Sequence, residues 1–225
     1  MRSLAPIIGV IILALAAVPA GGQGLKQIDP TVSYVHGATG MSFPPSVGRL
    51  ERNTVVEYDA AATDVSAGYK IDGPKGRVIF TVYIFPAPPA KAAGDLRTGR
   101  MEACGEAFEG VKNDIKIHPG ARLIEEGEVD SPSPKFNGKG KRVVFSLDGL
   151  LGVQAKGPFR SEAELFCYVG GRWQIMYRTT APVDVTYEAD LADLMRGIAW
   201  PVLTDDESRH EGVPANLTLA SAPRP

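Results

Sequence analysis

The sequence predicts an α+β domain: an antiparallel β-sheet flanked by two helices, in the order β-β-β-α-β-β-β-β-α, the layout of an α/β sandwich. Three observations predict it. Residues 77–85 alternate with period two, placing Val78, Phe80, Val82 and Ile84 on one face and Ile79, Thr81, Tyr83 and Phe85 on the other. Gly170-Gly171 separates two strand-like runs, which is a hairpin signal. Two stretches, around Phe108 and Leu194, repeat apolar residues every three or four positions, as amphipathic helices do. Helices packed on an antiparallel sheet bury such stripes and such a strand together.

In chain order, Val55, Val56 and Tyr58 mark a first strand, and residues 65–71 form a second. Asp72-Gly73-Pro74-Lys75-Gly76 is a turn, because glycine and proline there suit its backbone angles. The 77–85 strand is apolar on both faces, so a central position covered on both sides is expected. Pro86, Pro88 and Pro89 end it. A helix over 90–113 comes next, with Met101, Cys104, Phe108 and Val111 as its buried stripe. Gly99, Gly105 and Gly110 each weaken it by about 1 kcal/mol relative to alanine, so tertiary packing must hold it. Residues 121–129 read as a strand, although Glu125-Glu126 would equally continue a helix. Asn137-Gly138 turns the chain into a strand at 142–147. Strands at 160–169 and 172–180 join as a two-residue hairpin. A last helix over 185–199 buries Leu191, Leu194, Met195 and Ile198, and Trp200-Pro201 stops it.

The two ends read differently from this middle. Residues 1–20 have the parts of a signal peptide: the charge of Arg2, an apolar run from Leu4 to Val18, and small residues at Val18 and Ala20. The run is short for a membrane span, which needs about 20 apolar residues; an uncleaved anchor is the alternative. No cysteine follows it, which argues against a lipid anchor. Removing it leaves roughly 200 residues, the size of one domain. Residues 21–33 are expected as a flexible lead, 34–203 as one α+β domain, and 204–225 as a disordered polar tail containing Pro214, Pro223 and Pro225. In that tail, Asn216-Leu217-Thr218 fits a glycosylation acceptor, which matters only in a eukaryotic secretory pathway. The expectation is an exported protein, periplasmic if bacterial and otherwise secreted, with no transmembrane anchor after cleavage. A net charge of −2, from 24 basic and 26 acidic residues, gives no field that would favour nucleic acid.

Cys104, on the first helix stripe, and Cys167, on the same strand face as Ala163 and Leu165, can both lie between helix and sheet. An oxidising compartment makes them a disulfide candidate; two separate buried thiols are the alternative. No metal site is expected. His36, His118 and His210 are scattered, and Glu125, Glu126, Glu128 and Asp130 lack a calcium-loop spacing. No catalytic site is expected either, because no Gly-x-Ser-x-Gly elbow occurs. Glu162 and Glu164 alternate onto one strand face and are expected exposed. Gly138-Lys139-Gly140-Lys141 lacks a phosphate-loop spacing and reads as a basic turn. Tyr83, Phe85, Phe166, Tyr168 and Arg178 would make an aromatic patch with one cation if their strand faces align. Burial of that patch under the last helix is the alternative.

Three stretches carry a family resemblance. They are Phe136-Asn137-Gly138-Lys139-Gly140-Lys141-Arg142-Val143, the hairpin from Cys167 to Ile175 followed by Tyr177-Arg178, and the closing helix after Pro182 that ends in Ile198-Ala199-Trp200. With the element order, they resemble the superfamily of the PsbP extrinsic subunit of photosystem II, the Ran-binding nuclear import factor and the bacterial envelope protein DcrB. The resemblance covers most of the chain after residue 20 and implies a non-catalytic binding or accessory role, with no shared catalytic residues and no cofactor. Phe43-Pro44-Pro45 matches the family's proline-bearing entry only loosely. The function expected is that of an exported, non-catalytic module binding an envelope protein. A small-molecule or lipid carrier with a pocket between sheet and helix is the first alternative; a hydrolase whose residues meet only in the fold is the second.

Overall fold

The computed structural model describes residues 25–92, 94–151 and 156–200. The predicted signal peptide, 1–20, and tail, 204–225, lie outside them. Four short strands come first: β1 (Lys26–Ile28), β2 (Tyr34–Val35), β3 (Ser42–Phe43) and β4 (Ser46–Val47). The rest of the chain forms β5 (Leu50–Glu57), β6 (Val65–Gly73), β7 (Gly76–Pro86), α1 (Leu96–Lys116), β8 (Arg122–Asp130), β9 (Lys139–Gly149), β10 (Lys156–Val169), β11 (Trp173–Pro182) and α2 (Glu188–Gly197). The fold is α+β, mostly antiparallel sheet with two helices. The main sheet runs β1-β5-β6-β7-β11-β10-β9-β8, and β4 pairs with β5 beside it. From β7 the chain crosses through α1 to the far edge at β8 and returns strand by strand, so that β11 closes against β7.

Residues 25–33 are not the flexible lead expected of 21–33. β1 pairs with β5, Ile28 opposite Val55. Arg52 orders the segment from Pro30 to Phe43: it is 5 % exposed, and its guanidinium donates to the carbonyls of Pro30, Val32 and Phe43. A buried cation needs acceptors, and this backbone supplies them.

α1 starts later than its periodicity suggests. Asp95 caps it, accepting from the Thr98 N–H at 2.9 Å and the Thr98 hydroxyl at 2.8 Å. Phe108, Lys112 and Ile115 are buried toward the sheet and Gly99 and Ala103 toward the segment before the helix, whereas Met101 is 64 % exposed. Of the predicted stripe, Cys104, Phe108 and Val111 do pack toward the sheet, and Met101 alone is left out. An added Cβ at Gly99 would strike the backbone of Lys91, whose N–H donates to the Gly99 carbonyl. Cys104 is bonded to Cys167 with their Cα atoms 5.9 Å apart, so the disulfide fastens α1 to β10. Closing a loop of 63 residues contributes about 4 kcal/mol on the chain-entropy account. Lys112 is buried against Phe108 and keeps its charge through Glu109 at 2.6 Å and Glu126 at 2.9 Å.

Two cores result, one on each side of the sheet. Under α1 lie Phe108, Ile115, Val143, Phe145, Leu147 and Leu165. On the other side lie Val78, Phe80, Val82 and Ile84 of β7 with Leu191, Leu194 and Ile198 at α2. There the indole N–H of Trp200 donates to the Tyr177 hydroxyl at 2.8 Å. The β10–β11 connection has three residues rather than two: Val169 faces Trp173 across Gly170, Gly171 and Arg172. Tyr168, Gly170 and Gly171 all adopt positive φ, and the extra residue is absorbed as a bulge between Phe166 and Val169.

Candidate functional site: a half-covered sheet

Register decides which residues share a surface, because directly paired residues of neighbouring strands project to the same side. Glu164 pairs with Tyr177 and Tyr177 with Val82; Phe166 pairs with Ile175 and Ile175 with Ile84. Phe166 therefore faces the α2 side, where it is fully buried between Tyr177 and Trp200. Tyr83, Phe85 and Arg178 face the α1 side. The bulge turns Tyr168 toward α1, where its hydroxyl donates to the Pro88 carbonyl at 2.9 Å and Arg100 sits over its ring. The five residues expected as one patch thus divide between two sides of the sheet. The last helix does not cover Tyr83, Phe85 or Arg178; Phe85 packs into the core beneath α1.

The α1 side is covered only in part. A helix is about 10 Å wide and strands lie about 4.8 Å apart, so one helix covers two or three strands. α1 lies on β9 and β10. Over β5, β6 and β7 the sheet shows Val56, Tyr58, Ile79, Thr81 and Tyr83, with Ile79 and Tyr58 each 36 % exposed. β7 is interior to the sheet as expected, but one of its faces is only partly covered: Phe85 packs beneath α1, Thr81 and Tyr83 are half-buried and Ile79 is exposed. The Tyr58 and Ser66 hydroxyls are 3.0 Å apart and fix the tyrosine over β6. Burial and the neighbouring Tyr58 push the Tyr83 hydroxyl above its ordinary range, while Arg178 draws it back.

Arg178 marks the margin of this bare region. Its Nη2 lies 3.4 Å from Nε2 of His118, just past the end of α1. His118 Nδ1 accepts the N–H of Leu151 at 2.9 Å. Burial and then the charge of Arg178 lower the affinity of His118 for a proton.

On the opposite side, the structure overturns the expectation that Glu162 and Glu164 are exposed. They are 4 % and 6 % exposed. Arg142, projecting from β9 on the same side, donates through Nε to Glu162 and lies 3.8 Å from Glu164. The Tyr187 hydroxyl donates to the other Glu162 oxygen at 2.6 Å, and Arg160 lies over the Tyr187 ring at 4.4 Å. Glu162 is thus fully bonded. Glu164 is not: burial and then the Glu162 charge raise its pKa to about 7, against the pull of Arg142. Burial works against the charge of Arg142, and the Glu162 and Glu125 carboxylates outweigh it. Spacing at i and i+2 puts the two glutamates on one face of their strand. What buries them comes from residues far along the chain.

The remaining groups are structural. His36 is fully buried, with Nδ1 2.7 Å from the Thr39 hydroxyl and Trp173 edge-on to its ring. Glu125, Glu126 and Asp130 lie on the edge strand β8 and pair with Arg142, Lys112 and Lys139. Among the described residues, no three histidine, cysteine or acidic side chains gather as metal ligands. A cleft of about 270 Å³ beside the β6–β7 turn is floored by Ile71, Val78 and Val185 and flanked by the Arg49–Asp190 and Lys75–Asp184 pairs. A second, of about 550 Å³, lies between Pro88–Ala92 and Ala103, Glu106 and Ala107 of α1. No family model matches this chain, and no curated protein is significantly similar to it.

Proposed function

We propose that this chain is an exported, non-catalytic binding module that receives an envelope protein on the part of the sheet α1 leaves bare. The observation that carries the reading is the face of β5, β6 and β7: Ile79 on β7 and Tyr58 at the end of β5 stay exposed, although the other side of these strands is packed. Other large apolar residues are exposed too, but these lie on one stretch of sheet face that no helix covers, the kind of surface an interaction site uses. Export rests on the pattern of residues 1–20 and agrees with the Cys104–Cys167 disulfide. The absence of catalysis rests on the site chemistry: Glu162 is held by Arg142 and Tyr187, and the two described histidines contact Thr39, Leu151 and Arg178 rather than a carboxylate. The PsbP-like resemblance, with its sandwich layout and accessory role, points the same way.

The test is a photoreactive amino acid placed at position 79 in the exported protein, with the same group at Glu102 on the outer side of α1 as control. A saturable adduct from position 79 alone, abolished by Tyr58→Glu, is expected. Equal labelling from both positions, or none, would sink the reading.

A further inference from the structure

We propose that Arg178 and His118 form an oxyanion-binding subsite at the margin of the bare sheet face, taking a carboxylate or phosphate group. The inference rests on the reading of that face as a binding surface and adds the chemistry of what is bound there.

Hydrogen-bond directions carry it. The Leu151 N–H points at Nδ1 of His118, which must accept, so the neutral ring keeps its proton on Nε2. Nε2 then donates, and the group 3.4 Å from it is another donor, Nη2 of Arg178. In the other tautomer Nε2 accepts from Arg178 and the Leu151 N–H is left without its acceptor. One imidazole has a single acceptor nitrogen, and two donors converge on it. An oxyanion beside Nε2 and the guanidinium resolves the conflict by accepting from both.

Charge points the same way. Arg49, Arg77, Arg122, Arg142, Arg160 and Arg196 each hold a carboxylate. Arg178 is half-buried, yet no described carboxylate is ion-paired with it. Asp114, one turn before His118 on α1, is exposed and not bonded to it. A partly desolvated guanidinium favours an anion, and its planar fork suits a carboxylate or phosphate. Tyr83, on the same side of the sheet, feels the charges of both Arg178 and the exposed Asp114 carboxylate, so an incoming anion meets one cation and one solvated anion here.

The test is a titration of the exported form with sodium acetate and with inorganic phosphate at constant ionic strength, following the His118 ring and Arg178 Nε–H signals by NMR. A saturable shift of both signals with at least one anion is expected, weakened roughly 10-fold or more by Arg178→Gln. A short acidic peptide is titrated in parallel. Binding tighter than acetate assigns the carboxylate to a polypeptide, and tighter phosphate binding assigns a free or ester phosphate. No saturable shift in the wild-type protein, or shifts unchanged in Arg178→Gln, would overturn the subsite. Because the titration needs no partner, it can fail while the crosslink at position 79 succeeds, and the reverse.

Discussion

The two sides of β7 belong to the same eleven residues and meet opposite fates. Toward α2, Val78, Phe80, Val82 and Ile84 are at most 3 % exposed. Toward α1, Ile79 is 36 % exposed, and Thr81 and Tyr83 are half-buried. The sequence of the strand hardly distinguishes them. The difference comes from width: one helix lies over a sheet eight strands across and reaches only part of it. Beyond its reach, apolar residues remain at the surface and become available to something else.

The same contrast extends to the charges. On the α2 side, Glu162 and Glu164 are enclosed with Arg142; on the α1 side, Arg178 is left at an open margin with His118. The largest expected effect is on the enclosed group. Arg142→Met should destabilise the domain by about 3–5 kcal/mol in urea unfolding, because two buried carboxylates lose their cation. A loss below about 1 kcal/mol would mean that the pair is less enclosed than its burial indicates.

A smaller effect compares the two sides of β7 directly. Ile84→Ala, fully buried, should cost about 2–4 kcal/mol, whereas Ile79→Ala should cost under about 1 kcal/mol. Equal losses in the two variants would show that the Ile79 face is covered in solution, and the binding reading would fall with it.

The smallest effect, counted per pH unit, is in pH. Glu164 binds its proton more tightly folded than unfolded, with a pKa near 7 against an ordinary 4.5. Its contribution to stability is therefore fully present below about pH 4.5 and is lost as pH rises through about 7. Over that window the wild-type protein should lose up to about 1.4 kcal/mol per pH unit relative to Glu164→Gln, which lacks the ionisation. Parallel pH profiles for the two proteins would remove Glu164 from the account.

Much of the fold was legible. The runs at 65–71, 77–85 and 142–147 fall within β6, β7 and β9, and the last helix buries Leu191, Leu194 and Ile198 as its period requires. Cys104 and Cys167 sit on facing surfaces, as their periods require, and are bonded. The first four strands escaped because two or three residues are too few to show a period; pairing with other strands and the carbonyl contacts of Arg52 hold them. Met101 shares the face of Phe108 by its spacing and is nevertheless exposed, because a period says which side of a helix a residue is on and not whether the sheet reaches that turn. The aromatic patch failed for a sharper reason. Alternation assigns residues to two sides of their own strand, but only register says which side of one strand continues which side of the next. Phe166 and Tyr83 fall on opposite sides for that reason.

The sequence by itself determined the local periods, the turns, which residues within one element share a side, and the class of the fold. These follow from backbone geometry repeating every two or 3.6 residues, which any stretch of chain carries on its own. Only the tertiary structure decided that Glu162 and Glu164 are enclosed, that Ile79 and Tyr58 stay partly exposed, and that His118 meets Arg178 across 60 residues of chain. Burial and electrostatic environment belong to what packs against a residue, and that neighbour is set by register and by the width of a single helix rather than by the residue's own sequence.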